Sequence, residues 1–203
     1  MGLISAATTI FDAGSMSAGF GGNMTFIKKL TASSSATLSF VDGSDGVVLD
    51  DTYKEYVFTF KNIHPASDDA SFTFQGNVSG GSGYNETITS TAFRTYHSEG
   101  GSTNLSYGSG SDQAQGTAFQ ILMPYMDNDN DSNGGGSLHL FNPSSTVFVK
   151  HFMSRNQFVL NSAYSWNMLI AGYFNTTAAI DEIQFKMSSG NIDAGDICLY
   201  GIA

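Results

Sequence analysis

The sequence predicts an all-β protein: a two-sheet antiparallel jelly-roll sandwich with an extended N-terminal arm, an Ig-like or barrel topology being the alternative. Three observations predict it. The run LHLFNPSSTVFVKHF (138–152) has two blocks that alternate apolar and polar residues, the period of a half-buried pleated strand. They are joined by Asn142-Pro143-Ser144-Ser145, which is turn chemistry: proline fixes φ and removes a donor, while Asn and Ser bond back to their own backbone. The same grammar of short strands and Gly/Ser/Asn corners recurs along the chain, with no stretch where a helical period fits better. Short connections without helices then force mostly antiparallel pairing.

Residues 1–24 stand apart from residues 25–203, the predicted sandwich domain. They are rich in small residues (Gly14, Gly19, Gly21, Gly22), with isolated apolar side chains at Ile10, Phe11, Met16 and Phe20. This predicts an arm that lies on another protein surface through those four residues, the alternative being a disordered tail. Strands begin with FIKKLT (26–31) and ATLSFV (36–41), flanking a Ser-rich corner. In YKEYVFTFKNI (53–63) Tyr56, Phe58 and Phe60 share a face; His64-Pro65 closes that strand, and SFTFQGNV (71–78) reads as its antiparallel neighbour. Residues 80–97 hold a long Thr-rich strand, because β-branched residues fit a pleated surface. A short strand and polar loop follow over 104–116. TAFQILMPYM (117–126) leads into the loop DNDNDSNGGG, which reads as hairpinning back into LHLFN. The last third holds strands at 145–154, 166–175, 180–188 and 195–202; in IDEIQFKM the apolar set is Ile183, Phe185 and Met187, with Gln184 and Lys186 outward. About ten or eleven strands are expected at sandwich spacing.

The chain has 203 residues, 41% of them hydrophobic and only 13% charged. A real core is therefore available, and the surface must be covered by Ser, Thr, Asn and Gly. Such a surface suits a protein that stays assembled with others or meets neutral polar partners such as glycans. A net charge of −10 argues against nucleic acid as partner, since like charges repel and no counterions are released in its favour. The lone cysteine, Cys198, lies in a strand-like run and reads as a small buried hydrophobe. No secretory signal and no membrane-spanning apolar run is read. Five Asn-x-Ser/Thr triplets, from Asn23, Asn77, Asn85, Asn104 and Asn175, follow from a surface rich in those residues.

The blocks FIKKLTASSSATLSFVDGSDGVVLDDTYKEYVFTFKNIHPASD (26–68), NETITSTAFRTYH (85–97), LHLFNPSSTVFVKHF (138–152) and AAIDEIQFKMSSGNIDAGDICLYG (178–201) resemble a family of small virion proteins encoded by tailed phages, especially marine ones. The resemblance covers nearly all residues after about 25. It implies a jelly-roll sandwich, commonly trimeric, displayed on a capsid or a tail. It implies no enzymatic site and supplies no functional residues to carry over.

Candidate chemistry is sparse. Asp127, Asp129 and Asp131 stand at alternate positions, the spacing a hard cation such as Ca²⁺ favours. The known loop template, however, asks for Gly at its sixth position and Glu at its twelfth, here Ser132 and Leu138; a solvated hairpin tip is the simpler reading. The pairs Asp50-Asp51 and Asp68-Asp69 read as turns. The histidines His64, His97, His139 and His151 show no metal-ligand spacing, and cross-strand hydrogen bonds are expected for His139 and His151. No Gly-x-Ser-x-Gly element or phosphate-cradling loop is present, so no enzyme, cofactor or metal is expected. Tyr84, Tyr96, Tyr107, Tyr125, Tyr164, Trp166 and Tyr173 either line a sugar-binding face or pack in strands and between protomers.

These readings give a phage virion structural protein, expected as a capsid decoration (cement) protein that binds the major capsid protein, trimerises through one sheet face and staples the head shell with its arm. The alternative is a tail-fibre tip or carbohydrate-binding module that binds host glycan among the tail proteins. A polysaccharide-degrading enzyme is a third reading, which would need paired carboxylates in one groove.

Overall fold

A computed structural model of the chain describes residues 24–203, together with the backbone pairing of three short strands ahead of them, β1 (Leu3–Ser5), β2 (Thr8–Asp12) and β3 (Ser15–Met16), which pair in that order. The contact side chains expected at Ile10, Phe11, Met16 and Phe20 lie outside the described residues. The remaining strands are β4 (Met24–Ser35), β5 (Leu38–Val41), β6 (Glu55–Pro65), β7 (Ala70–Val78), β8 (Ile88–Ser98), β9 (Thr103–Tyr107), β10 (Gln120–Met126), β11 (Gly134–Phe141), β12 (Lys150–Leu160), β13 (Tyr164–Phe174), β14 (Ile180–Met187) and β15 (Ile192–Ile202). Among the described residues there is no helix, and every strand pair is antiparallel. The all-β antiparallel reading holds.

The twelve strands form one sheet that folds over on itself in two leaves. The large leaf runs β4-β15-β6-β11-β12-β13-β8-β9 and the small leaf β10-β7-β14-β5; the single pair Met126–Leu160, between β10 and β12, joins them. Phenylalanines from both leaves meet between them. Phe185 of β14 stands 5.4 Å from Phe58 and Phe60 of the large leaf, and 5.7 Å from Phe72 and 6.2 Å from Phe40 of its own. All five rings are buried. The edge-to-face contacts of Phe185 with Phe58 and Phe60 add to the burial that drives the leaves together.

The period-two pattern located the core residues well. Tyr56, Phe58 and Phe60 are buried on one face of β6, and Ile183, Phe185 and Met187 on one face of β14, with Gln184 and Lys186 on the other. Cys198 is buried, as read. The pairing was read less well. β6 and β7 are not neighbours: β6 pairs with β11 and β15, β7 with β10 and β14. After Pro65 the chain crosses from one leaf to the other, so Phe60 meets Phe72 edge to face across the core, with ring centres 5.2 Å apart, rather than lying beside it in one sheet. β10 and β11 are likewise not a hairpin, since Asp127–Asn133 carries the chain between leaves. Alternation tells which face of a strand is buried, and it is silent on which strand lies beside it.

Two boundaries also differ. Gly134, Gly135 and Gly136 belong to β11, not to the loop before it. A side chain at Gly134 would stand 2.5 Å from the Met123 sulfur, and one at Gly136 would meet the Arg155 carbonyl and Asn156; glycine here marks close backbone approach within a sheet. Residues 142–149 form a loop, and β12 starts only at Lys150, so Val147 and Phe148 lie outside any strand.

Candidate functional site

β11, β12, β13, β8 and β9 lie side by side as one half of the large leaf. β12, β13 and β8 are in register along their whole length, which lines up side chains in rows. Ser137, Arg155, Leu169, Phe93 and Tyr107 form one row, and His139, Met153, Ala171 and Thr91 the next. Their neighbours of opposite parity, among them Leu138, Phe152, Met168, Ile170 and Ala92, are buried in the core. The rows therefore form the outer face of the leaf.

That face is unusually apolar for an uncovered surface. Met153 is 56% and Phe93 51% exposed, and Leu169, Leu105 and Tyr107 are exposed as well. Phe93 and Tyr107 pack edge to face at 5.7 Å. Two shallow grooves run across the face and share Phe141 and Met153: one of about 420 Å³, also lined by His151, Ala171 and Tyr173, and one of about 360 Å³, also lined by His139, Arg155 and Leu169. Contiguous apolar surface of this kind marks an interaction site more often than a free surface.

Its charge is the second property that bears on contact. The five strands contain no Asp or Glu at all, although the chain has 18. They do carry Arg94, Lys150, Arg155 and three of the four histidines, His97, His139 and His151. Glu55 of the adjacent β6 borders the face and hydrogen-bonds His139 at 2.6 Å.

Beside the face the loop 142–149 holds Val147 and Phe148 in solvent, each 68% exposed. The loop is braced from within. The Ser145 hydroxyl accepts from the amides of Val147 (3.2 Å) and Phe148 (3.0 Å). The Lys150 ammonium, buried at the start of β12, donates to the carbonyls of Phe148 (2.8 Å) and Thr176 (3.3 Å). Burial lowers the pKa of Lys150 below the usual lysine range. Two exposed apolar side chains on a braced loop form a pre-organised knob.

The residues singled out from sequence fall elsewhere. Asp127 ties its own turn, accepting from the Asp129 amide (3.1 Å) and the Ser132 hydroxyl (2.8 Å); among the described residues no three His, Cys, Asp or Glu side chains group to hold a metal. Asp68 accepts from the Asn161 amide group at 2.7 Å. His139 makes the expected cross-strand bond, to Glu55, and His151 packs against Tyr173 with ring centres 5.8 Å apart. Trp166 is buried, stacked on Tyr96 with Arg94 over its ring at 4.9 Å. It packs in the leaf and is not a platform for sugar.

Family models, curated proteins and solved structures yield no match to this chain. The surface above is read on its own chemistry. Val147, Phe148 and Lys150 are not singled out by the sequence, whose alternation over 145–154 reads as one strand. A signal was present: no acidic residue occurs between Asp131 and Asp181.

Proposed function

We propose that the chain is a structural protein of a tailed-phage virion, most concretely a capsid decoration (cement) protein that binds the major capsid protein and stabilises the head shell. The observation that carries this reading is the acid-free, partly apolar outer face of β11, β12, β13, β8 and β9. It suits a lasting protein contact better than a free surface. Strand order adds support. β4 pairs β15, β5 pairs β14, β6 pairs β11 and β7 pairs β10, a nested pairing that supports reading these eight strands as one long hairpin rolled into a jelly roll. That fold serves viral shells and lectins alike. On this reading β8, β9, β12 and β13 widen one sheet of the roll, and the protein resides in the virion as a homotrimer.

The alternative, a tail-fibre tip or carbohydrate-binding module, draws on Tyr125, which is exposed at the end of β10. Burial of Trp166 weighs against it. Resistance to internal DNA pressure would come from area buried between the protein and the shell, with residues 1–24 as a staple across shell subunits. Shells prepared without the chain should take up the purified full-length protein and then release DNA at a higher temperature. A chain lacking residues 1–24 should stay folded and fail to bind. No uptake of the full chain contradicts the reading, and normal uptake of the truncation contradicts the role of the arm.

A further inference from the structure

The knob and the grooves lie on one chain, and neither is filled by the other, since Phe148 is 68% exposed and Met153 56%. We propose that they are the two halves of a contact between copies of this chain: Val147 and Phe148 of one copy seat in the groove lined by Phe141, His151, Met153 and Tyr173 of the next. This deepens the reading above by locating the self-contact that a homotrimer requires. It needs no particle, so the two can fail separately.

The occupant is argued from charge and from shape. Two copies of a chain with net charge −10 repel one another through most surface approaches. The outer face of β8, β9, β11, β12 and β13 has no carboxylate of its own and carries Arg155 and His151 beside the groove. Glu55 and Asp112 reach its margin, bonded to His139 and Tyr107, so an uncharged segment of another copy can meet the middle of the face without acid meeting acid, and like-charge juxtaposition is what most strongly excludes partners. The knob is equally free of charge over Ser144–Val149, and a groove of about 420 Å³ has room for an aromatic side chain with its β-branched neighbour. Bracing by Ser145 and Lys150 means that little conformational freedom is lost on docking.

A knob and a groove that are different patches give a heterologous contact. Such a contact closes into a ring if the rotation allows and otherwise grows into a filament. The contact has a signature that a merely structural role for these residues lacks. Phe148→Asp removes the knob but leaves a groove; Met153→Glu removes the groove but leaves a knob. Light scattering of the full chain should give an integral multiple, above one, of 21.6 kDa. Each variant alone should fall to a single-chain mass, with circular dichroism unchanged because both residues are exposed. An equimolar mixture of the two should recover a one-to-one heterodimer through the one intact knob and groove. Should either variant fail to fold, Val147→Ser with Phe148→Ser, or Tyr173→Glu in the same groove, takes its place. A wild-type chain that stays monomeric, variants that keep the wild-type mass, or folded monomeric variants that do not combine would each overturn the proposal.

Discussion

Tyr56 shows how a single buried side chain makes folding stability depend on alkaline pH. Its ring is fully buried, and its hydroxyl donates to the Asp50 carbonyl at 3.0 Å. Burial, with Asp50 and Asp42 nearby, pushes its phenol well above the ordinary tyrosine value. Below pH 10 the phenol is protonated in both folded and unfolded chains, and its full contribution is present. As the pH rises past 10, the unfolded chain loses the proton first, so folding stability falls towards the raised folded-state pKa. Tyr56→Phe should therefore cost about 1 kcal/mol near neutrality, for one hydrogen bond. Urea titrations should show the gap between wild type and variant narrowing steadily above about pH 10. A gap that stays constant to high pH would place the phenol in contact with solvent. That Tyr56 is core was legible from its parity with Phe58 and Phe60; that its hydroxyl has a partner was not, because Asp50 comes to it through the turn before β6.

At the scale of the strand, the glycines at the start of β11 carry a sharper prediction. Gly136 sits between β6 and β12 with the Arg155 carbonyl and Asn156 where a Cβ would go. Gly136→Ala must push β11 and β12 apart and should cost about 1–3 kcal/mol, read as a lower urea midpoint with unchanged slope. Gly110, with open space around its Cβ position and no positive φ, serves as control: Gly110→Ala should be neutral or slightly stabilising. Equal effects at both positions would show that β11 is not held as close as described. Here the sequence misled for a physical reason. Three consecutive glycines after Asp-Ser-Asn look like a loop, because what forbids a side chain at Gly136 is a strand that begins fourteen residues further on in the chain. Strand faces follow from the nearest neighbours in sequence; strand partners follow from closure of the whole sheet. The crossings after Pro65 and Met126 belong to the second kind, and both were read as local hairpins.

At the scale of the molecule, the acids lie mostly in the loops, and the five adjoining strands β11, β12, β13, β8 and β9 of the large leaf carry none. The run between Asp131 and Asp181 made half of this surface legible from sequence. The rest was not, because β8 and β9 join it from far away in the chain. On the proposed reading, an acid-free apolar face next to a braced apolar knob makes the protein a building block that meets copies of itself and a larger shell. Quantitative mass spectrometry of purified virions tests that role most directly. A copy number of the same order as the major capsid protein is the predicted result, and absence of the chain from the particle would contradict it.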